Sequence, residues 1–431
     1  MKTVYICFNT DVIHEGHLGV IAQAQNYGRV VVGALCDEAM ICHGKFPTSS
    51  LDDRIRLYQS IEGVDEVIVQ RNAMYDDAIE QLHPDYVIHS DSWKENSHLY
   101  IREHVVRRLN QYGGVLIEVP HVETYNIRKA EHLEKNKLAM PEYRRKRLHQ
   151  LLKNHTIVKA IEVHSGLTGL IAEKTVVTNG GIPEQFDAMW MSSLCDSTEK
   201  GKPDIEIVDM TSRFRTIDDV TEVTTKPIIF DGDTGGQKEH FAYTVRTLEK
   251  MGVSAVIIED KTGLKRNSLF GNEVEQIQDS IENFCAKITA GKSSQLTEDF
   301  MIIARVESLI LEKGMDDALE RAFAYVKAGA DGIVIHSRKR EPDEIIEFCG
   351  EFRKTDKNTT LVVIPTTFNA ITEEELAAHG VNIVIYANQL IRSAFPAMQR
   401  TAEDILTYHR AKEADERLMP VNQIITLIDE I

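Results

Sequence analysis

The chain has 431 residues, of which 42% are hydrophobic and 27% charged, so its composition is globular rather than disordered or collagen-like. Its 67 acidic and 49 basic side chains give a formal charge of −18, which disfavours nucleic-acid binding unless a local basic patch intervenes. No apolar run approaches the ~20 residues of a membrane span, and no secretory signal peptide is recognisable. We therefore expect neither nucleic acid nor membrane as a partner.

The cysteines are scattered and show no C-x-x-C spacing. This pattern argues against a zinc ribbon or a disulfide framework, and it suits a protein of the reducing cytoplasm. The six positions are Cys7, Cys36, Cys42, Cys195, Cys285 and Cys349.

In the first ~130 residues, short apolar strands alternate with helical patterns, which is typical of a parallel sheet covered on both faces. A count of five short strands favours a small doubly wound, Rossmann-like domain over a barrel. The clearest strands are Thr3–Phe8, Val30–Leu35, Val64–Val69 and Tyr86–Ile88. The helical patterns are Leu18–Gln25, Asp52–Ile61 and Tyr75–Leu82.

The stretch from Arg128 to Arg147 is strongly charged and contains Pro141. We interpret it as a linker followed by the start of an outer helix, because it is too charged to enter a core. The predicted domains are therefore residues 1–133 and 138–431.

Strand–helix alternation restarts after this stretch, and eight strands in about 290 residues predict a (β/α)8 barrel. The strands are Val158–Val163, Ala188–Ser192, Pro227–Phe230, Ala255–Ile258, Met301–Val306, Gly332–Ile335, Leu361–Ile364 and Ile383–Tyr386. Helical patterns lie between most of them, including Glu239–Met251, Glu273–Thr289, Met315–Lys327 and Pro342–Phe352.

Polar side chains gather at the carboxyl ends of these strands, where α/β barrels build their active sites. They are His164, Ser192, Asp231 with Asp233, Glu259, Arg305 and His336, while the seventh strand ends at Pro365. Asp231, Asp233 and Glu259 supply three carboxylates, a hard oxygen donor set that favours Mg²⁺. The polar loop from Glu259 to Ser268 could surround an anion such as a phosphoryl group and move as a lid.

Several segments together resemble phosphoenolpyruvate mutase, a member of the isocitrate lyase superfamily of barrels. They are Glu162–Leu167, Asp231–Gly235, Glu259–Ser268 with its E-D-K-x-x-x-K-x-N-S pattern, Ala304–Glu307 and Ile335–Ser337. The resemblance covers residues 140–420. Carbon–carbon lyases of this superfamily carry a catalytic cysteine on the same loop, and this chain has no cysteine between Cys195 and Cys285.

The resemblance implies roles for particular residues. Asp231, Asp233 and Glu259 match the acids that hold Mg²⁺, and Lys265 belongs to the gating loop. The substrate carboxylate would be held by a segment containing Trp190, Ser192, Ser193 and Leu194. The remaining active-site matches are Asp204, Asn267, Ser268, Arg305 and His336.

The implied reaction moves a phosphoryl group between the enol oxygen of phosphoenolpyruvate and C3 of phosphonopyruvate, which is the first step of phosphonate biosynthesis. Catalysis would be mostly positioning and electrostatic stabilisation, with water excluded. The alternative within the barrel is hydrolysis of phosphonopyruvate to pyruvate and phosphate. Members of the superfamily commonly form tetramers that exchange a C-terminal helix, so we expect a homo-oligomer, tetramer or dimer. The amphipathic end Val421–Ile431 is compatible with such packing.

The first domain carries His14-Glu15-Gly16-His17 between a strand and a helix. Two imidazoles at a helix N-terminus form a suitable site for phosphate. Residues 2–130 resemble cytidylyltransferases such as glycerol-3-phosphate cytidylyltransferase. The resemblance implies CTP as a substrate and the nucleotide-binding residues His14, His17, Lys45, Arg54, Asp91, Trp93 and Arg128.

This domain departs from the pattern at Phe8, where the family has glycine, and at His121–Arg128, where its signature is reduced. A bulky Phe8 is expected to crowd a triphosphate. Two hypotheses therefore stay open: CTP-dependent transfer to a phosphonate, and a non-catalytic nucleotide-binding or assembly module.

Overall fold

The computed structural model describes residues 1–42, 45–94, 99–121, 124–179, 182–263 and 265–428. It contains a five-stranded parallel sheet followed by a closed eight-stranded parallel barrel. The predicted fold class is therefore confirmed.

The N-terminal sheet has the strand order β3-β2-β1-β4-β5. Its strands are β1 (Thr3–Phe8), β2 (Arg29–Leu35), β3 (Glu66–Gln70), β4 (Tyr86–Ser90) and β5 (Val115–Val119). The helices are α1 (Glu15–Ala24), α2 (Asp37–Cys42), α3 (Leu51–Gln59), α4 (Asp76–Leu82) and α5 (Leu99–Asn110). Along β1, Val4 and Ile6 pack with Ile21 of α1, whereas Tyr5 packs with Ile79 of α4. Both faces of the sheet are thus buried, which explains its continuous apolar strands.

The charged stretch that we interpreted as a linker followed by the start of an outer helix forms two helices, α6 (Tyr125–Ala139) and α7 (Pro141–Asn154). The expectation that it is too charged for the core is wrong for Arg144 and Arg147, which are almost completely buried. Arg144 donates to the carbonyl oxygens of Ala139 and Thr224, and Arg147 donates to that of Thr225. Buried guanidinium groups are tolerated here because main-chain acceptors satisfy them. The proposed boundary at residues 134–137 lies within α6.

The barrel strands follow one another in the closed order β10-β11-β14-β15-β16-β17-β6-β9. They are β6 (Val158–Val163), β9 (Ala188–Met191), β10 (Ile228–Asp231), β11 (Ala255–Glu259), β14 (Met301–Val306), β15 (Gly332–Ile335), β16 (Thr360–Val363) and β17 (Ile383–Tyr386). All eight lie where the sequence predicts them. Two short hairpins were not predicted: β7 (Val176–Asn179) with β8 (Ile182–Gln185), and β12 (Lys261–Thr262) with β13 (Ile277–Gln278).

Helices surround the barrel, and their bounds are α8 (Gly166–Lys174), α9 (Ser193–Glu199), α10 (Met210–Thr221), α11 (Lys238–Lys250), α12 (Ile281–Ser294), α13 (Met315–Lys327), α14 (Asp343–Thr355), α15 (Glu373–Ala378), α16 (Gln389–Tyr408) and α17 (Val421–Ile425). The helix predicted over 273–289 begins later, at Ile281, where the Ser280 side chain caps it. The residues before it pair with the polar loop through β12 and β13, so they are part of the cover of the site.

Helix α7 closes the amino-terminal end of the barrel. Its Leu148 and Leu151 pack in one cluster with Val158 and Ala255, the first residues of their strands. Phe46 of the N-terminal region joins this cluster, and the Arg147 guanidinium lies 3.8 Å from its ring centroid. We therefore expect the active site at the opposite end of the barrel, where the carboxyl ends of the strands lie.

Among the described residues, no helix is long and apolar enough to cross a bilayer. Five of the cysteines are described as free thiols: Cys7, Cys36, Cys195, Cys285 and Cys349.

Candidate active site

The carboxyl ends of the barrel strands bring acidic and basic side chains into one buried group. Asp231 follows from β10, Glu259 from β11, Arg305 from β14 and His336 from the residue after β15. Each of these four side chains lines a cavity of about 50 Å³. This arrangement follows from the parallel barrel, which collects all strand ends at one rim.

Asp231 is held by the first turn of α9. The backbone N–H of Ser193 donates to Asp231 Oδ2 at 3.0 Å, and its hydroxyl donates to the same oxygen at 2.8 Å. A side chain on Gly232 would put its Cβ 2.8 Å from Val256 and 3.0 Å from the Ile257 carbonyl oxygen. Only glycine allows the chain to pass so close to β11 between the two aspartates.

Asp233 lies between two cations. Arg213 of α10 donates to Asp233 Oδ2 at 2.8 Å, and the Lys265 ammonium pairs with Oδ1. Lys265 also donates to Ser193 Oγ at 2.8 Å and to Asp204 Oδ1 at 3.0 Å. Although burial opposes it, the surrounding carboxylates, Asp233 first, raise the pKa of Lys265 well above its usual range. The ammonium therefore stays charged and closes the loop onto the acids.

Asn267 strengthens this closure, since its Nδ2 donates to Asp204 Oδ2 at 2.7 Å. Because Lys265 and Asn267 both donate hydrogen bonds to Asp204, the polar loop lies directly over the strand ends. The remaining space of about 50 Å³ is too small for a phosphorylated three-carbon acid. Entry of a ligand of that size would therefore require these two contacts to break.

Arg305 and His336 form the cationic side of the site. Arg305 donates to Glu307 at 2.6 Å, to Ser268 at 2.7 Å and to His336 Nδ1 at 2.9 Å. Burial and then Arg305 lower the pKa of His336 to about 3, so the ring is neutral at pH 7. Because Nδ1 accepts from Arg305, the proton of the neutral ring is on Nε2. Nε2 is buried without a hydrogen-bond partner among the described residues, so it offers a donor to a ligand.

The carboxylate of Glu259 has an oxygen atom that a metal ion could bind. Its Oε1 is buried and has no hydrogen-bond partner in the described part of the chain. The Lys261 ammonium lies 3.5 Å from this oxygen, so a ligand at closer range would satisfy it better. Asp231, Asp233 and Glu259 offer oxygen atoms only, the donor type that Mg²⁺ prefers. These three residues could therefore hold a magnesium ion.

The structure brings together the barrel residues for which the family resemblance implies a role, whereas His164, also a polar strand-end residue, does not line the cavity. The cavity is lined by Trp190, Ser192, Ser193, Leu194, Asp204, Asp231, Glu259, Lys265, Asn267, Ser268, Arg305 and His336. Asp233 joins them through Lys265. Their individual roles stay predictions, because proximity alone does not assign chemistry.

Sequence reasoning missed three charged residues of this group. Glu307 lies two residues after Arg305, and strand periodicity places both on one side, so the alternation of β14 could have identified it. Arg213 and Glu206 come from α10 and the loop before it, where no local pattern marks them. Arg213 reaches Asp233 only through the folding of α10 onto the barrel.

Glu206 leads to a pH-dependent prediction. Burial and then Asp233 raise the pKa of Glu206 to about 7. Below that pH the carboxyl is neutral, and above it a negative charge is added beside the acids. We expect Mg²⁺ affinity to increase several-fold between about pH 6 and pH 8. Glu206→Gln should flatten this increase, while Glu239→Gln, at an exposed position of α11, should not. Calorimetric titration with Mg²⁺ at three pH values measures how the affinity depends on pH. If the affinity of Glu206→Gln still increases with pH as in the wild type, the prediction is wrong.

The N-terminal region contains a second and larger cavity, of about 600 Å³. Four of the proposed nucleotide-binding residues line it: His14, His17, Lys45 and Trp93. His14 caps α1, its Nδ1 accepting from the Gly16 N–H, while the Nδ1 of His17 accepts from the His14 N–H. Burial and then the neighbouring His14 lower the pKa of His17 to about 3. A neutral His17 therefore has its proton on Nε2.

The other three proposed nucleotide-binding residues are not among the described residues that line the cavity. The buried guanidinium of Arg54 donates to the carbonyl oxygens of Leu35 and Ser49 and to Asp37. Asp91 accepts from the His121 N–H, and Arg128 is exposed on α6. Within the reduced signature, Val122 and Glu123 lie outside the described residues, as do the last three residues of Val421–Ile431.

Phe8 occupies the core beside this cavity. Its ring contacts His17 edge-on, with centroids 5.0 Å apart, and Tyr58 at 5.4 Å. Phe8 also borders the cavity, so the expected crowding of a triphosphate stays a prediction.

The fold and the site define a barrel enzyme in which clustered acids, a neutral histidine and buried cations line one small cavity. Comparison with known proteins agrees: the family model described as phosphoenolpyruvate phosphomutase matches residues 148–406. This chain therefore belongs to the phosphoenolpyruvate phosphomutase family, within the superfamily that includes the isocitrate lyases. The cytidylyltransferase-like family model matches residues 7–147.

Individual relatives carry two different activities. The chain is 33% identical over 285 residues to a phosphoenolpyruvate phosphomutase of Streptomyces hygroscopicus, which covers 66% of this chain and 87% of the relative. It is 34% identical over 279 residues to a phosphonopyruvate hydrolase of a Variovorax species, covering 64% and 95%. A solved phosphonopyruvate hydrolase in complex with oxalate and Mg²⁺ matches with a TM-score of 0.59 at 33% identity, covering 66% and 94%.

Proposed function

We propose that the barrel is a magnesium-dependent phosphoenolpyruvate mutase that interconverts phosphoenolpyruvate and 3-phosphonopyruvate. The observation that carries the proposal is the closure of the polar loop, in which Lys265 and Asn267 both bind Asp204 over the strand ends. A closed site keeps water from the migrating phosphoryl group, and a mutase needs this more than a hydrolase does.

The residues present suit the transfer. The P–O bond to the enol oxygen breaks and a P–C bond to C3 forms, so negative charge moves between the enolate and the phosphoryl oxygens. Arg305 and the Nε2–H of His336 stabilise the phosphoryl oxygens, and Asn267 donates a further hydrogen bond once the loop opens and recloses on substrate. Trp190, Ser192 and Leu194 line the cavity beside the start of α9 and would orient the substrate carboxylate, since the Ser193 N–H already donates to Asp231.

Asp231, Asp233 and Glu259 would hold the metal. When bound, Mg²⁺ supplies positive charge to the enolate and carboxylate oxygens of the substrate. The solved phosphonopyruvate hydrolase contains oxalate and Mg²⁺, which supports a divalent metal in this chain. Lys265 must leave Asp233 when a divalent cation approaches, because two cations cannot share one carboxylate oxygen without repulsion.

The test is ³¹P NMR of the full chain with phosphonopyruvate and Mg²⁺. We expect the phosphonate signal to be replaced by that of phosphoenolpyruvate. Inorganic phosphate without phosphoenolpyruvate would overturn the mutase proposal and establish the alternative, phosphonopyruvate hydrolysis, which the Variovorax relative favours. Lys265→Ala should increase the share of inorganic phosphate, because it removes a contact that closes the loop.

For the N-terminal region we propose CTP-dependent cytidylyl transfer to a phosphonate such as 2-aminoethylphosphonate, with release of pyrophosphate. The cavity of about 600 Å³ at the N-terminus of α1 supports this proposal, because the histidines there can bind a triphosphate. Lys45, which donates to Asn9 at 2.9 Å, lies on the wall of the same cavity and would add positive charge. Phe8 favours the alternative, a non-catalytic binding or assembly module.

His17→Ala distinguishes these two functions. We expect pyrophosphate release from CTP and 2-aminoethylphosphonate to fall by about 100-fold or more, since His17 would stabilise charge in the transition state. His155→Ala, which alters a histidine outside the cavity, is the control and should leave the rate unchanged. Absence of release by the wild type, together with undetectable CTP binding in calorimetry, would leave only the assembly role.

We further propose that the chain forms a homo-oligomer through its C-terminal helices. Helix α16 has no buried residue, and it exposes large apolar side chains, among them Phe395, Met398 and Leu406. Light scattering should therefore give a mass of at least two chains, and Phe395→Asp with Leu406→Asp should lower it. A monomeric mass for the wild type contradicts the proposal.

A further inference from the structure

A second group of potential metal ligands lies beside the acid cluster but does not belong to it. Glu162 and His164 come from the end of β6, and Cys195 comes from α9. Their side chains are buried, with relative exposures of 0%, 5% and 0%. One ligand atom from each lies within 4.8 Å of the other two. Among the described residues that line the cavity of about 50 Å³, none of these three occurs.

The donor types differ from those that suit magnesium. A thiol sulfur, an imidazole nitrogen and a carboxylate oxygen form a set that zinc and similar divalent cations prefer. A divalent cation with one thiolate, one carboxylate and one neutral imidazole has no net charge. A neutral site of this kind can be buried at lower cost than a charged one.

The surroundings of His164 suit a ligand. Its Nδ1 and Glu162 Oε2 share a hydrogen bond of 2.8 Å, so a metal ion bound by both atoms would replace the proton between them. On the other side of the ring, Nε2 lies 4.0 Å from Glu199 Oε2. A histidine that binds a metal commonly gives its other N–H to a carboxylate, which fixes the ring and its tautomer. Glu199 is 52% exposed in its side chain and so provides a path from solvent.

The carboxylate of Glu162 is also oriented by a residue that does not belong to the proposed ligand group. Its Oε1 accepts from the backbone N–H of Ile391 at 2.7 Å, so Oε2 is the oxygen directed at the histidine. The thiol of Cys195 donates over a long 3.4 Å contact to the Ala387 carbonyl oxygen, a weak bond that a metal can replace. Burial and then the charge of Glu162 raise the pKa of this thiol, so it is protonated without a cation.

We propose that Glu162, His164 and Cys195 bind a thiophilic divalent cation of the zinc class, and that the exposed Glu199 side chain then moves from 4.0 Å into hydrogen-bond distance of His164 Nε2. The thiol loses its proton to solvent as the sulfur–metal bond forms, without any change in oxidation state. The bound cation would join β6, α9 and the start of α16, and it would act independently of the magnesium site and of the proposed mutase activity.

The experiment is a Co²⁺ titration of the full chain with Mg²⁺ in excess to occupy the acid cluster. We expect a thiolate-to-cobalt charge-transfer band that saturates at one equivalent and disappears when Zn²⁺ is added. Cys195→Ser should abolish the band. The matched control is Cys349→Ser, a buried cysteine on α14, which should retain it.

Glu199→Gln tests the partner of the histidine without removing a ligand. We expect it to weaken Co²⁺ binding by about 10-fold or more, with the same band at saturation. Absence of a charge-transfer band from the wild type, or an undiminished band from Cys195→Ser, would overturn the proposal. A circular dichroism spectrum for each variant confirms that it is folded.

Discussion

Replacing Asp231 with alanine should lower turnover of phosphonopyruvate by at least about a thousandfold, equivalent to about 4 kcal/mol of transition-state stabilisation. Burial alone would raise the pKa of Asp231, but Lys265, Arg213 and Arg305 outweigh it and keep the carboxylate ionised. It is therefore available to a cation at neutral pH. Wild-type activity should likewise vanish with a chelator and return with Mg²⁺ or Mn²⁺.

The measurement is the initial rate by ³¹P NMR, together with Mg²⁺ affinity by calorimetry. Asp218→Ala, which removes an exposed carboxylate of α10, is the matched control and should leave both unchanged. Asp231→Ala also leaves the Ser193 donors without their acceptor, so thermal unfolding must show that the variant is folded. Full activity in metal-free buffer would mean that the three carboxylates only orient one another and their cations.

Replacing Arg305 should have the next largest effect, and lysine should not substitute for it. The guanidinium contacts Glu307, Ser268 and His336 at once, and its Nη1 lies 3.7 Å from Glu259 Oε2. A lysine ammonium retains the charge but cannot reproduce the planar fork of donors. We expect Arg305→Lys to lose about 100- to 1,000-fold in kcat/KM.

Arg305→Met should lose more activity and also stability. It leaves the buried Glu307 and Glu259 with Lys261 at 3.1 and 3.5 Å, but without the guanidinium that faces both carboxylates. Removing one partner of a buried ion pair costs about 3–5 kcal/mol of unfolding free energy. Urea unfolding measures this loss. Arg410→Met, in an exposed pair with Glu413, should change stability by less than about 1 kcal/mol. Near-normal activity of Arg305→Lys would reduce the role of Arg305 to simple charge balance.

The two predictions depend on residues that could be identified from the chain alone. Asp231 and Arg305 stand at the ends of apolar segments that read as strands, and parallel strands deliver their carboxyl ends to one rim. The eight barrel strands were predictable for the same reason, because a buried parallel strand is a nearly continuous apolar run. The likeness of the strand-end motifs to a known family added the candidate roles.

Local sequence was a poor guide wherever a distant partner decides the conformation. Residues 274–280 read as the start of a helix, but pairing of Gln278 with Lys261 extends them over the site. Arg54 is proposed as a nucleotide-binding residue, and its enclosure by carbonyl groups from two other segments could not be predicted from its neighbours in the chain. Arg144 and Arg147 read as surface charges, yet carbonyl oxygens near residue 225 make their burial possible.

The sequence by itself determined the order of strands and helices, the class of both folds and the positions of the strand-end acids and cations, because these depend on hydrophobic periodicity and on motifs within a few residues. Only the tertiary structure decided that Arg213 pairs with Asp233, that Lys265 closes on Asp204, and that Cys195 meets Glu162 and His164. These contacts join residues 20 or more positions apart along the chain, apart from the Glu162–His164 pair. Their geometry arises from the packing of α9, α10 and the polar loop against the barrel, which no local pattern encodes.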